Sequence, residues 1–226
     1  MVVVDVLSFT TAVTVAVEAG TRVFPYPRQD ETAAAFAEQV EAALAVGRKA
    51  ATPTAPWSLS AAALRRAPAT PRLVLPSPNG SAISATVQTR VVAGCLRNAA
   101  ATGRWLAEQG LGTRERPVAV VAAGERWPDE SLRPTLEDLL AAGAIIAEAR
   151  MYGSGPPSPE AEAAAACFAA VPDVTSAVAA CASGVELRQM GFAEDVAIAT
   201  ELDACDVVPV KAPNRPYFTA ADHHRP

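Results

Sequence analysis

The chain opens on a run that is apolar in both of its alternating sets, Val2-Val3-Val4, and continues through Val6 and Leu7. β-Branched residues dominate it, so it predicts a strand over Val2 to Leu7 with both faces covered, as in a parallel sheet. Ser8 to Thr11 reads as a short polar turn, and Ala12 to Ala19 as a helix closed by Gly20. The alternation then repeats. Val23 to Tyr26 predicts a strand. Asp30 to Val46 predicts a helix, with Asp30 as its cap, Ala33, Phe36, Ala37, Val40 and Leu44 on one face, and Gly47 as its stop. Residues 51–71 are rich in Pro, Ser, Thr and Ala and predict a loop carrying a short helix over Ser60 to Arg66. Strands follow at Arg72 to Leu75, Val91 to Ala93 and Val118 to Ala122. Helices follow at Asn98 to Gln109 and Thr135 to Arg150.

Gly153-Ser-Gly-Pro-Pro-Ser-Pro159 reads as a linker. Beyond it the pattern predicts helices from Ser158 or Pro159 to Phe168, from Thr175 to Ala182 and from Val185 to Met190. Asp195 to Thr200 is compatible with helix or strand, Val207 to Val210 predicts a last strand, and the tail from Pro213 carries no pattern. The expected organisation is an α/β core over residues 1–152, with helices and a final strand over residues 160–212 packed on the same fold. Strands alternating with helices predict a largely parallel or mixed sheet covered by helices on both faces. In such sheets the ligand crevice lies beyond the carboxyl ends of the strands. Four polar groups fall there: Asp5 with Ser8, Thr10 and Thr11; Asn79, Gly80 and Ser81; Gly94, Arg97 and Asn98; and Gly124, Glu125 and Arg126.

Composition narrows the chemistry. The 226 residues are 50% hydrophobic and 19% charged with a net charge of −5, and no Lys/Arg run forms a basic stripe. This argues against nucleic acid and anionic membranes as partners. Aromatics at 5% leave little for base stacking. The apolar stretches are broken by charge before they reach spanning length, and the start lacks the basic head and cleavage site of a signal peptide, so a cytoplasmic protein is expected. Met1 abuts the first strand, which leaves two readings: a natural chain that begins upstream, or a strand that opens the fold. Cys95, Cys167, Cys181 and Cys205 form no CxxC pair and read as reduced core thiols. His223 and His224 lie in the tail, which argues against histidine catalysis.

What remains is oxygen chemistry. Asp5 inside an apolar run needs a metal, an arginine or a ligand to answer it, or else serves as a helix cap. Pro78-Asn79-Gly80-Ser81 is a turn whose N–H groups can hold an anion's oxygen, or an ordinary turn. Glu137 and Asp138 open a helix, where the dipole favours acids. If the insert from Arg126 to Pro134 brings them to the strand ends, Asp5, Glu137 and Asp138 supply hard oxygen ligands for Mg²⁺, and Arg97, Arg126 and Arg133 can neutralise phosphate or a second acid group. No P-loop, GxGxxG, GxSxG or HExxH is present. The Ala-rich run Ala161 to Ala170 is compatible with a homodimer and equally with burial in one domain.

An ordered set of fragments carries a resemblance: Val3-Val4-Asp5-Val6-Leu7 with Thr10-Thr11, Asn79-Gly80-Ser81, Gly94-Cys95-Leu96-Arg97-Asn98-Ala99, Ala122-Ala123-Gly124, Leu136-Glu137-Asp138 with Ala142-Gly143-Ala144-Ile145, Gly191-Phe192-Ala193-Glu194-Asp195, and Val208-Pro209. Together they resemble the 2-phosphosulfolactate phosphatase family of ComB-like proteins over nearly the whole chain. The resemblance implies a three-layer α/β/α fold and a Mg²⁺-dependent phosphatase that releases phosphate from 2-phosphosulfolactate on the route to coenzyme M. It implies Asp5, Asn79, Asn98, Glu137 and Asp138 at the site, with Gly80 and Gly124 shaping its backbone. Thr10, Thr11, Ser81, Arg97 and Arg126 are the expected contacts of the small anionic phosphorylated substrate. Two departures stand out. The family often has arginine after Asp-Val-Leu, where this chain has Ser8. It usually carries serine and histidine before a late glycine, where Cys181 and Ser183 precede Gly184.

Overall fold

A computed structural model describes residues 1–221; His223 and His224 lie outside the described residues. The first half contains β1 (Val2–Val4), α1 (Phe9–Glu18), β2 (Arg22–Tyr26), α2 (Glu31–Gln39), β3 (Ala43–Leu44), α3 (Ala61–Arg66), β4 (Arg72–Pro76), α4 (Gly80–Thr86), β5 (Val91–Gly94) and α5 (Ala99–Glu108). The second contains β6 (Val120–Ala122), β7 (Glu125–Arg126), β8 (Leu132–Arg133), α6 (Leu136–Met151), α7 (Pro159–Ala170), α8 (Val174–Ala180), α9 (Ala182–Gln189), α10 (Ala193–Ala199), β9 (Pro209–Lys211) and β10 (Thr219–Ala220).

The main sheet has the order β10-β9-β5-β1-β6. β1 is central, parallel to β5 on one side and to β6 on the other, while β9 runs antiparallel to β5. The alternation of Cβ directions along β1 explains its apolar run. Val2 and Val4 pack with Trp105, Leu106, Leu140 and Ile145 of α5 and α6. Val3 packs with Phe9, Val13 and Val17 of α1. The sheet therefore lies between helices on both faces, a three-layer α/β/α arrangement. The cluster on the α5/α6 face also takes in Val178, Leu187, Val196 and Val208, so the C-terminal helices share the core of the sheet they cover.

A second, parallel sheet has the order β2-β4-β3 and packs on the other side of α1 through Val23, Leu73 and Leu75. One antiparallel bridge, Val23 with Phe218, joins the two sheets edge to edge. The patternless tail after Pro213 is thereby corrected: Phe218 is fully buried against Phe9, and β10 pairs with β9. The pattern missed this because Phe218 is a single anchor, with no periodicity around it.

Boundaries move at β1, which ends at Val4 rather than Leu7, at α9, which starts at Ala182 rather than Val185, and at two further helices. α1 starts at Phe9 rather than Ala12, because the Thr10 and Thr11 hydroxyls turn back to donate to the Asp5 and Val6 carbonyls, at 2.8 Å each. The helix expected over Asp30 to Val46 ends at Gln39. Asp30 caps it as expected, its Oδ1 accepting from the Thr32 amide, but Glu41 takes a left-handed φ of 51° and Ala43–Leu44 pairs with β4. Val40 and Leu44 fit a helical period locally; the free edge of β4 and the Arg72 guanidinium, which donates to the Val40 carbonyl at 2.8 Å, favour the strand. The ambiguous segment at Asp195 is the helix α10. Ala164 and Ala165 of the Ala-rich α7 are buried, and the Ala164 carbonyl lies against Gly143 of α6. Among the described residues, no single helix is long and apolar enough to cross a membrane.

Candidate active site

Asp5 follows β1 directly and is buried. Its carboxylate lies between two helix starts: Oδ1 accepts from the Phe9 amide of α1 at 3.0 Å, and Oδ2 from the Gly80 amide of α4 at 2.7 Å. The capping reading of Asp5 is met at both helix starts, and the residue stands just beyond the carboxyl end of β1, where a ligand is expected in such sheets. Thr10 locks the turn beneath it, accepting from the Asp5 amide at 3.0 Å.

Gly80 is required by this approach. A Cβ there would lie 2.8 Å from the Asp5 carboxylate and from the Phe9 ring. Gly80→Ala is expected to push Asp5 off its amide pair. The expected losses are about 1–3 kcal/mol of stability, seen in chemical denaturation, and at least about tenfold in phosphate-ester turnover. An unchanged turnover would show that the position of Asp5 is not critical.

The insert does bring the start of α6 to Asp5. Its residues Glu125–Arg126 and Leu132–Arg133 fold into the β7–β8 hairpin, and Gly124 before it takes a left-handed φ of 68°. Asp138 clamps the ends of two strands: Oδ1 accepts from the Val6 amide at 2.8 Å and Oδ2 from the Gly124 amide at 2.9 Å. Glu137 and Asp138 are only 2% and 3% exposed, so they are not acids held at a wet helix start by the dipole alone. Glu137 accepts from the Cys181 thiol at 3.1 Å. Burial and the Glu137 charge push that thiol up to about 12, so it stays a protonated donor.

Asn79 donates across the crevice to Glu125 at 2.7 Å. Glu125 is therefore a fourth carboxylate of the site. Burial raises the pKa of Asp5, and the Glu137 charge adds to it, against the opposing pull of the Gly80 and Phe9 amides and of Arg48. Burial first and then the Asp5 charge raise Glu125. Burial, Asp5 and Glu137 hold Asp138 well above the ordinary carboxylate range. Four acids thus meet at one end of β1: the Asp5 charge opposes ionisation of Glu125 and Asp138, and the Glu137 charge opposes that of Asp5, Glu125 and Asp138.

Other expected site residues do not join them. Arg97 is buried behind α1, bound to Glu18, Glu201 and Thr14. Asn98 spends its side chain on the Cys95 amide and on the Ala93 and Val207 carbonyls, so it ties β5 to the segment before β9. Arg126 is exposed on the hairpin and donates to the Glu130 carbonyl. The Thr11 hydroxyl donates to the Val6 carbonyl. The Ser81 hydroxyl binds the Tyr26 and Leu75 carbonyls and the Tyr26 amide. These hydroxyls complete buried backbone rather than face a ligand. Arg133 does reach the site's field, but its guanidinium is held by both oxygens of Glu186.

The cation that reading the residues did not find is Arg48, which donates to Ser8 and whose charge is felt at Asp5. It opens a single 3-10 turn, Arg48–Ala50, more than forty residues from β1, so no local signal marks it. Glu125 was visible at a strand end and lacked only a partner; Asn79 supplies it. A cavity of about 620 Å³ lies apart from these groups, between β6, α6 and the 112–119 segment, and is lined by Val120, Leu139, Ala142 and Ile145. It holds none of the four acids.

A family model described as 2-phosphosulpholactate phosphatase matches residues 1–213. The chain belongs to that family. The match spans β1 through β9 and so includes every acid of the crevice, Arg48 and the helices that enclose it. No curated protein matches the chain at a significant level.

Proposed function

We propose that the protein is a Mg²⁺-dependent phosphatase acting on a small phosphorylated hydroxy acid, with 2-phosphosulfolactate as the leading substrate, cleaved to 3-sulfolactate and phosphate. The observation that carries this reading is the meeting of Asp5, Glu125, Glu137 and Asp138, drawn from three distant parts of the chain, at the end of the central strand. Their mutual repulsion calls for a cation, and a hard oxygen donor set suits Mg²⁺.

Among the described residues no three acidic, cysteine or histidine side chains are arranged as a ready cage. Asp5 and Asp138 each engage both oxygens with amides, which leaves further lone pairs on each oxygen. This fits the way Mg²⁺ is usually held, by one or two carboxylates, with waters and substrate phosphate completing its shell. Asp5, Glu137 and Asp138 are the candidates to hold it. When bound, it would polarise the phosphoryl group and lower the pKa of a bound water.

The chain's own groups do the rest. The Gly80 and Gly124 amides and Thr10 fix the carboxylates in place. Glu125, whose pKa is raised by burial and by the Asp5 charge and whose carboxylate Asn79 orients, is the candidate to carry a proton and give it to a leaving alkoxide. The test is phosphate release from 2-phosphosulfolactate with Mg²⁺. Turnover lost on chelation and restored by Mg²⁺ is expected. Turnover that survives chelation, or no release at all, would overturn the reading.

A further inference from the structure

Among the described residues the fragment Gly191-Phe192-Ala193-Glu194-Asp195 makes no hydrogen bond or ion pair with the four acids, yet it is built around one half-buried cation. Asp195 at the start of α10 is buried. Its Oδ1 accepts from the Ser60 hydroxyl at 2.6 Å and from the Ala62 amide at 3.0 Å. Among the described residues its Oδ2 accepts no hydrogen bond, and it lies 3.4 Å from Arg48 Nε. The Phe192 ring sits 5.8 Å from the Arg48 guanidinium carbon. These groups hold the guanidinium from one side, and on the other Arg48 Nη2 donates to Ser8, three residues past Asp5.

Arg48 is the least committed cation near the cluster. Its side chain is 19% exposed, and among the described residues no hydrogen bond is made by Nη1. Arg133, the other nearby cation, is closed off by Glu186. A guanidinium with an unused face presents a forked donor suited to a carboxylate or sulfonate. It stands at Ser8, where a small side chain leaves room for it.

We propose that Arg48, held by Asp195 and Phe192 against the end of β1, anchors a second acid group of the substrate, a carboxylate or sulfonate, beside the phosphate. The proposal rests on the phosphatase reading for what lies at Asp5. Asp195 is then a positioning residue, and the 191–195 fragment serves specificity through Arg48. A merely structural ion pair is the competing reading.

The test compares the unaltered protein with Arg48→Gln/Asp195→Asn, which removes both charges together so that no buried carboxylate is orphaned, and with Arg48→Lys. Circular dichroism and melting check that each variant folds. Calorimetry measures binding of 3-sulfolactate, of lactate as the carboxylate-only probe, of isethionate as the sulfonate-only probe, and of inorganic phosphate. The dissociation constant for 3-sulfolactate should rise by at least about tenfold in the double variant, with partial retention in Arg48→Lys and a smaller change for phosphate. Whichever single-acid probe shows the same loss identifies the group held. The ratio of kcat/KM for 2-phosphosulfolactate over isopropyl phosphate should fall by a similar factor. Parallel losses for 3-sulfolactate and phosphate, an unchanged affinity, or no binding of any acid probe by the unaltered protein would overturn the proposal. Arg48-dependent binding of 3-sulfolactate without phosphate release would sink the phosphatase reading and leave this one standing. Phosphate release with an unchanged ratio would do the reverse.

Discussion

Asp5→Asn is expected to lower phosphate release by about 10³-fold at saturating Mg²⁺, roughly 4 kcal/mol of transition-state stabilisation. Asp5 is the acid whose two oxygens lie at the starts of both α1 and α4, and its charge raises both Asp138 and Glu125. Asparagine keeps the size and one acceptor, so the Phe9 or Gly80 amide retains a partner while the charge is lost. The fold should survive, since the hydrocarbon faces of β1 are untouched. Single-turnover kinetics with a melting control measure the effect. A variant that folds and retains more than about a tenth of the activity would show that Asp5 serves only as a double helix cap.

The second large effect is on stability. Asp5, Glu125 and Asp138 all have raised pKa values in the folded protein. A raised carboxyl binds its proton more tightly folded than unfolded. Its contribution is therefore present in the ordinary carboxylate range, near pH 4, and is lost as pH rises through the folded value. Exposed acids with lowered values, such as Asp30 and Asp173, act in the opposite sense, but only as pH falls into and below that range. The chelated protein should thus melt higher at pH 5 than at pH 8. Mg²⁺ should reverse this by neutralising the cluster. At about a hundred times its dissociation constant it adds about 2.7 kcal/mol, which is roughly 5–10 °C for a chain of this size. The gain should shrink at pH 5, where protons occupy the same oxygens. Calorimetric melts over pH 5–8, with and without Mg²⁺, check both signs. A chelated protein most stable at pH 8 and indifferent to Mg²⁺ would show that the acids are neutralised within the chain.

Asp5 and Arg97 differ in how far a candidate-site residue can be read from sequence. Asp5 was legible because a charge within Val2-Val3-Val4-Asp5-Val6 contradicts its surroundings, and such contradictions concentrate where function is. Arg97 stood at an equally promising strand end, but its side chain runs back under α1 to Glu18 and Glu201, a direction that no spacing encodes. Asn98 and Ser81 likewise sit at strand ends and turn inward to backbone groups. Glu137 and Asp138 needed the hairpin after Gly124 to return the chain, and the family match spans that whole stretch.

The sequence by itself determined the strand–helix alternation, the cap at Asp30, and the acids at positions 5, 137 and 138 as candidates. Those depend on local periodicity, backbone preference and residues out of keeping with their neighbours. Tertiary structure alone decided that two sheets meet at Val23 and Phe218, that Val40 to Leu44 leaves the helix for a strand, that Asn79 meets Glu125, and that Arg48 comes to Ser8. Each is a contact between segments distant in the chain. Its energy comes from burial and charge shared across the fold, and neither partner carries a mark of the other in its own neighbourhood.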